Sequence, residues 1–224
     1  MRSTSQIRLP VVVGAVLFVA ALIDLIANGP LRRWDHTVFP LGRPANQLWY
    51  VVSDIGDVWP LAVVLIVTAV VHVVRRRPIR TLIVAAGWVA VTQAVVLLTK
   101  TLVGRTPPKG HVDELAAGGM SWPSGHTADS LAMLMIAATV LTMPGTKLDT
   151  VLKWVVPIVS AAVAVSVVRL FYHWPSDVVG GWSLGLILGS LARWSIRSEW
   201  ARGRSRPREP APAEPAQSQP RPLP

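Results

Sequence analysis

The chain contains no cysteine, so disulfides and thiolate chemistry are both excluded. It also lacks the ten-residue apolar–polar alternation that a membrane β-barrel needs. No His-x-x-x-His or similar pair sits on one helical stretch, so the commonest helical zinc pattern is missing. Acidic residues are few, 12 Asp and Glu against 22 Lys and Arg, for a formal net charge of +10. A basic balance of that size raises nucleic-acid binding, but the placement of the charges argues against it. The Lys and Arg residues lie at the ends of apolar blocks and in the C-terminal stretch, the pattern of contacts with anionic lipid headgroups. Nucleic acid is therefore not an expected partner; membrane lipids are.

What is abundant is apolar sequence. Hydrophobic residues make up 51% of the 224 positions and mean hydropathy is +0.45. They are bunched into six blocks, at about 10–28, 58–74, 81–99, 128–143, 151–168 and 178–195. Each block approaches the ~20 residues that span a bilayer as a helix. In lipid the backbone must satisfy its own hydrogen bonds, so the expected fold class is all-α. The expectation is one domain over 1–200, a six-transmembrane-helix bundle. A cleaved signal peptide is the alternative reading of the first block, since Arg2 and Arg8 precede it. The long apolar stretch and the five spans behind it favour a retained helix.

Residues 201–224 are rich in Pro, Arg, Ala and Glu and cannot build a core, so they are expected to form a disordered cytoplasmic tail. Charge asymmetry sets the orientation. Arg75, Arg76, Arg77 and Arg80 crowd one short loop, on the side that also holds both termini. The positive-inside rule makes that side cytoplasmic. The loops after the first, third and fifth helices then face outward. The first of these carries Trp34, Phe39, Trp49 and Tyr50, aromatics expected at the membrane interface.

Polar residues collect at the outward ends of the helices. Lys100 ends the third block and Arg105 follows it. Pro123-Ser124-Gly125-His126 opens the fourth. Arg169 ends the fifth, and His173 and Asp177 lead into the sixth. Phosphoryl transfer needs cations and backbone N–H groups around the equatorial oxygens, and Lys100, Arg105 and Arg169 are candidate cations. The Ser124–Gly125 turn can direct free N–H groups at an anion from a helix N-terminus. A neutral imidazole can attack phosphorus if a partner fixes its tautomer. Asp177, four residues after His173, is placed for that, and His126 can protonate a leaving oxygen. A metal site built from His111, Asp113, Glu114, His126 and His173 is the chemical competitor. Asp24 and Gln93, polar residues inside apolar blocks, suggest a transport path as a further alternative.

These residues resemble the type 2 phosphatidic acid phosphatase family, which is related to vanadium haloperoxidases. The family pattern has three parts: Lys, six residues, then Arg-Pro; Pro-Ser-Gly-His; and Ser-Arg, five residues, His, three residues, Asp. The resemblance covers about 100–181. It is complete at Pro123–His126 and strong at His173-Trp-Pro-Ser-Asp177 with the Val-Val-Gly-Gly that follows. It implies His173 as nucleophile, Asp177 as its orienting partner and His126 as general acid. Lys100, Ser124 and the Gly125 backbone would bind phosphate, and no metal or cofactor is implied. Two family arginines fall on Pro107 and Val167 here, which leaves Arg105 and Arg169 as the candidate replacements. The compact, Ala/Val/Arg-rich sequence suggests a bacterial plasma membrane, and the resemblance implies a metal-independent phosphatase. Its substrate would be a lipid phosphate or diphosphate of polyprenyl or glycerophospholipid type, cleaved through a phosphohistidine. A lipid-phosphate binder of the same fold without turnover is the alternative.

Overall fold

The structure, a computed structural model, describes residues 2–38 and 46–204, with the side chains of 2–7 and 203–204 excepted. Phe39, Arg43 and the segment 205–224 lie outside the described residues. The described residues form eight α-helices and no strand: α1 Arg2–Ile26, α2 Pro30–Val38, α3 Gln47–Asp54, α4 Val58–Val74, α5 Ile79–Val103, α6 Gly125–Leu141, α7 Lys147–Arg169 and α8 Pro175–Arg204. The six long helices correspond to the six apolar blocks. The fourth starts three residues before the expected boundary because Ser124 caps it. α8 continues through Arg204, into the segment expected to be tail.

Among the described residues three helices are long and apolar enough to cross a membrane, within 8–26, 79–110 and 147–169. The bent pair α3–α4 makes a fourth if counted as one span. Their outer faces carry exposed apolar side chains, among them Val16, Ile23, Ile66, Ile83, Leu97 and Ile158. A surface of that kind is stable against lipid tails, and the protein is an integral membrane protein. α6 differs from the others. It has only 17 residues, and most are buried, including Ala128, Leu131, Ala132 and Ile136. It is the central post, with α4, α5, α7 and α8 packed around it and α1 packed on α8.

Small residues bring α6 and α8 close together. A Cβ at Gly181 would lie 2.4 Å from the Ser124 carbonyl oxygen, and one at Gly185 would lie 2.7 Å from that of Ala128. Only a missing side chain permits backbones to approach like this, the usual device for helix packing in lipid. Polar groups inside the bundle are matched locally. Gln93 Nε2 donates to Asp129 Oδ1 at 2.9 Å. Asp24 accepts from the N–H groups of Leu31 and Arg32 and so caps α2. These are packing and capping contacts within the bundle.

Two helices occupy the 29–57 connection, where the sequence suggested only an aromatic loop. α2 is amphipathic and turns its acid, Asp35, into the protein, where it is completely buried. α3 carries Trp49 and Tyr50 and packs against α7. Asn46 caps α3 by accepting from Leu48 N–H at 2.9 Å.

Candidate active site

The polar cluster forms where the C-terminal ends of α5 and α7 meet the N-terminal ends of α6 and α8. Gly104 ends α5 in the left-handed region at φ 59°, which releases the chain into the long loop to Pro123. That loop returns to α6 through Trp122, whose side chain is fully buried. Ser124 then caps α6. Its Oγ accepts from Thr127 N–H at 3.4 Å and Oγ1–H at 3.1 Å, and its own N–H donates to the Asp177 carbonyl at 2.9 Å. The next two N–H groups, of Gly125 and His126, have no acceptor among the described residues. They are the open donors that a helix start presents to an anion.

Lys100 lies over this helix start. Its Cε would be 3.4 Å, and its Nζ 3.8 Å, from a Cβ placed on Gly125. The ammonium is held there by donating to the Met120 carbonyl at 2.5 Å. A cation and two free N–H groups therefore converge on one spot, as phosphate oxygens require.

The two imidazoles stand beside it. The His126 and His173 rings are 5.8 Å apart, edge to face. His173 is nearly buried, and its Nδ1 faces Asp177 Oδ2 at 3.5 Å, with no closer hydrogen-bond partner. His173 lies in the bend before α8, so the pair does not depend on a shared helical face. The bend is closed by Trp174 N–H donating to Asp177 Oδ2 at 2.9 Å, and this turns the two side chains toward each other. His126 Nε2 is 2.8 Å from Asp57 Oδ1.

The arginines take different places from those the sequence suggested. Arg105 is fully buried and all of its donors are engaged. Nε donates to Asp113 Oδ1 at 2.8 Å. Nη1 donates to Ser176 Oγ at 2.6 Å and Asp177 Oδ1 at 2.7 Å. Nη2 donates to Asp35 Oδ2 at 2.7 Å and Asp113 Oδ2 at 3.0 Å. A guanidinium with five N–H groups and five acceptors has none left for a phosphate. Arg105 thus stands behind Asp177 and fixes it, while Ser121 Oγ at 2.5 Å holds the other carboxylate oxygen.

Burial works against the Arg105 charge, but its contacts with Asp177, Asp113 and Asp35 offset that cost. Burial likewise opposes ionisation of Asp113, yet Arg105 and Arg32 hold its carboxyl below the usual carboxylate range. At Asp35 burial prevails over Ser176 and Arg105, and the pKa is raised. Arg169 is exposed, with its guanidinium 5.6 Å from the Trp49 ring centroid. It does not join the histidine pair. Val167, at the position of a family arginine, is fully buried, and Pro107 is exposed at the head of a short 3-10 turn.

Several contributors lie outside the phosphate-binding motifs. Lys109 Nζ sits 4.4 Å above the Tyr172 ring, and Tyr172 packs 6.2 Å from His126, so a second cation stands at the rim. Asp57, Asp35, Asp113, Ser121 and Ser176 come from four different stretches of chain. Only the three-dimensional arrangement links them to the motifs. The five residues weighed as metal ligands are not gathered. Asp113 pairs with Arg32 and Arg105, and among the described residues no three His, Cys, Asp or Glu side chains are grouped so that they could hold a metal ion.

Comparison with known proteins gives the family and the fold. The model of the PAP2 superfamily matches residues 57–201. The crystal structure of a transmembrane PAP2-type phosphatidylglycerolphosphate phosphatase from Bacillus subtilis superposes with a TM-score of 0.65. It shares 21% identity and covers 87% of this chain and 98% of its own. At that identity the likeness concerns the fold. No curated protein matches.

Proposed function

Starting from the fact that the chain belongs to the PAP2 superfamily, we propose that it is a membrane phosphatase acting on a lipid phosphate or diphosphate by way of a phosphohistidine. One observation carries this reading: Lys100 and the open N–H groups of Gly125 and His126 converge beside a His173–Asp177 pair, with a second histidine 5.8 Å away.

In the proposed reaction His173 attacks phosphorus through Nε2. Asp177 accepts the Nδ1–H hydrogen bond, which shortens from 3.5 Å as the imidazole gains positive charge. The N–P bond forms while the bond to the leaving oxygen breaks, and His126 gives that oxygen its proton. Asp57 holds the proton-bearing Nε2 of His126 until the leaving oxygen takes its place. Water then attacks the phosphohistidine with His126 as base, releasing inorganic phosphate and restoring His173. The α6 N-terminus and Lys100 stabilise charge on the equatorial oxygens in both steps. Arg105 orients Asp177, Lys109 guides the headgroup at the rim, and Arg169 stays outside the chemistry. None of these steps calls for a metal.

In this reading α6 and α8 also cross the membrane as the inner pair of a six-span bundle. Both termini face the cytoplasm and the site opens to the outer leaflet of a bacterial plasma membrane. Headgroups reach the helix ends there. Phosphatidylglycerol phosphate, the substrate class named for the Bacillus subtilis protein, is one candidate. Phosphatidate and polyprenyl diphosphate are others of the same chemistry.

The test is phosphate release by the purified full chain from these lipids in the presence of a chelator, followed by acid-labile, base-stable labelling of His173. Full activity in His173→Ala would remove the proposed nucleophile. Val167 and Pro107 at the family's arginine positions favour one rival, a lipid-phosphate binder without turnover. Binding of these lipids with no release by the wild-type chain would establish it.

A further inference from the structure

A second built feature lies at the opposite end of the bundle. α7 and α8 are joined by the tight bend at 170–174 and separate below it, leaving a cleft of about 890 Å³ between α7, α8 and α6, with Leu9 and Pro10 of α1 at its edge. The walls are apolar: Leu131 and Met135 from α6, Leu152 and Val156 from α7, Leu186 from α8. Along α8 the lining runs from Trp182 to Ala201, which at 1.5 Å per residue is roughly 28 Å. The part before the first cation, from Trp182 to Arg193, is about 16 Å, comparable to one leaflet of a ~30 Å hydrocarbon core.

The mouth is ionic. Lys153, Arg193 and Arg197 all converge on Asp149, at 3.1, 3.0 and 2.5 Å. Three cations against one carboxylate leave a surplus of two positive charges. Asp149 is already saturated, since it also accepts from Thr142 Oγ1 and Gly145 N–H. Arg197 Nε, at the mouth, and Trp182 Nε1, deeper in the cleft, are buried donors with no partner. An apolar slot one leaflet deep, closed by surplus cations and an unpaired donor, complements one class of molecule: an anionic phospholipid, with its acyl chain in the slot and its phosphate on Arg193, Arg197 and Lys153.

We propose that this cleft binds an anionic phospholipid of the leaflet opposite the histidine site. The site shares no residue with the proposed catalytic machinery, and its occupant is drawn from the membrane itself.

The experiment reconstitutes the full chain in phosphatidylcholine nanodiscs. Photoactivatable phosphatidylglycerol or photoactivatable phosphatidylcholine is added at equal dose, and crosslinks are mapped by mass spectrometry. The expected result is labelling of 152–157 and 182–201 that favours phosphatidylglycerol by roughly tenfold or more, as a two-charge surplus implies. Two variants are expected to lose that preference. In Lys153→Gln with Arg193→Gln, Arg197 remains to pair Asp149, and in Leu186→Trp the slot is filled. Equal labelling by the two lipids, or unchanged preference in both variants, overturns the proposal. Displacement by millimolar inorganic phosphate or glycerol phosphate also overturns it, because the ligand is then a soluble anion. Crosslinks running only to the chain's own C-terminal segment do the same. Repeating the labelling in His173→Ala keeps the result independent of the phosphatase reading, since that variant is expected to label normally.

Discussion

Replacing Gly181 with alanine tests whether the contact between α6 and α8 sets the geometry of the proposed site. The added Cβ would fall 2.4 Å from the Ser124 carbonyl oxygen and 3.2 Å from its carbonyl carbon and Cβ. The shortest ordinary carbon–oxygen contacts are near 3.3 Å, so the two backbones must part by about 0.9 Å. Both atoms that meet the methyl group most closely are backbone, so no side chain can swing away to absorb the change.

Such overpacking costs about 1–3 kcal/mol, while alanine returns up to about 1 kcal/mol of helix propensity over glycine. The net stability change is therefore small. The effect on turnover is expected to be larger. Ser124 carries the open N–H groups of Gly125 and His126 on α6, whereas His173 and Asp177 belong to the start of α8. Parting these helices by nearly 1 Å pulls the anion cradle off the nucleophile, and a misplacement of that size typically costs roughly 100-fold. The assay is phosphate release from a lipid phosphate in detergent, with thermal unfolding measured on the same preparation. Gly87→Ala is the control, because nothing lies within 4 Å of its Cβ position, and it is expected to leave activity unchanged. A Gly181→Ala protein with wild-type turnover would refute the claim that this contact positions the site.

Lys100→Ala is expected to lower the rate roughly 100- to 1000-fold, the usual loss when one transition-state donor goes, with Arg169→Ala changing it only slightly; comparing kcat for the pair checks the assignment. Arg105→Lys cannot reach three carboxylates at once and leaves buried charge unpaired, for a loss of about 3–5 kcal/mol measurable by thermal or denaturant unfolding. The folded-state pKa of Asp113 is depressed, so its contribution to stability is present above the unfolded value and is lost as pH falls through the folded one. Thermal unfolding followed from pH 6 down to pH 3 is expected to show a steeper loss in the wild type than in Asp113→Asn, whose residue 113 does not titrate.

The motifs in the sequence led directly to the core of the candidate site. Ser124, Gly125, His126, His173 and Asp177 are brought together, and Lys100 joins them over one helix start. The helices were equally legible, since block length in lipid leaves the backbone little choice. The arginines were not. Arg105 reads as a loop cation near a phosphate-binding pattern. Its actual partners, Asp35 and Asp113, lie in segments with no recognisable motif, and burial decides the pairing. Arg169 follows the same logic: its neighbour Trp49 comes from a short helix in a connection whose pattern suggested only interfacial aromatics. Asp57 and Lys109 are single residues whose role depends on which helix end they meet.

The Arg105 clamp also orders events in time. Its guanidinium is enclosed by carboxylates that lie 70 positions earlier, at Asp35, and 72 positions later, at Asp177. A ribosome delivers Arg105 to the membrane well before α8 exists. Until the last helix docks, a buried-to-be charge has only part of its partners. Assembly of the final helix therefore completes the stabilising ion cluster and the proposed nucleophile pair in one event. A chain stalled or cut before α8 would carry a clamp that lacks its Ser176 and Asp177 contacts, a mark by which incomplete copies differ from finished ones.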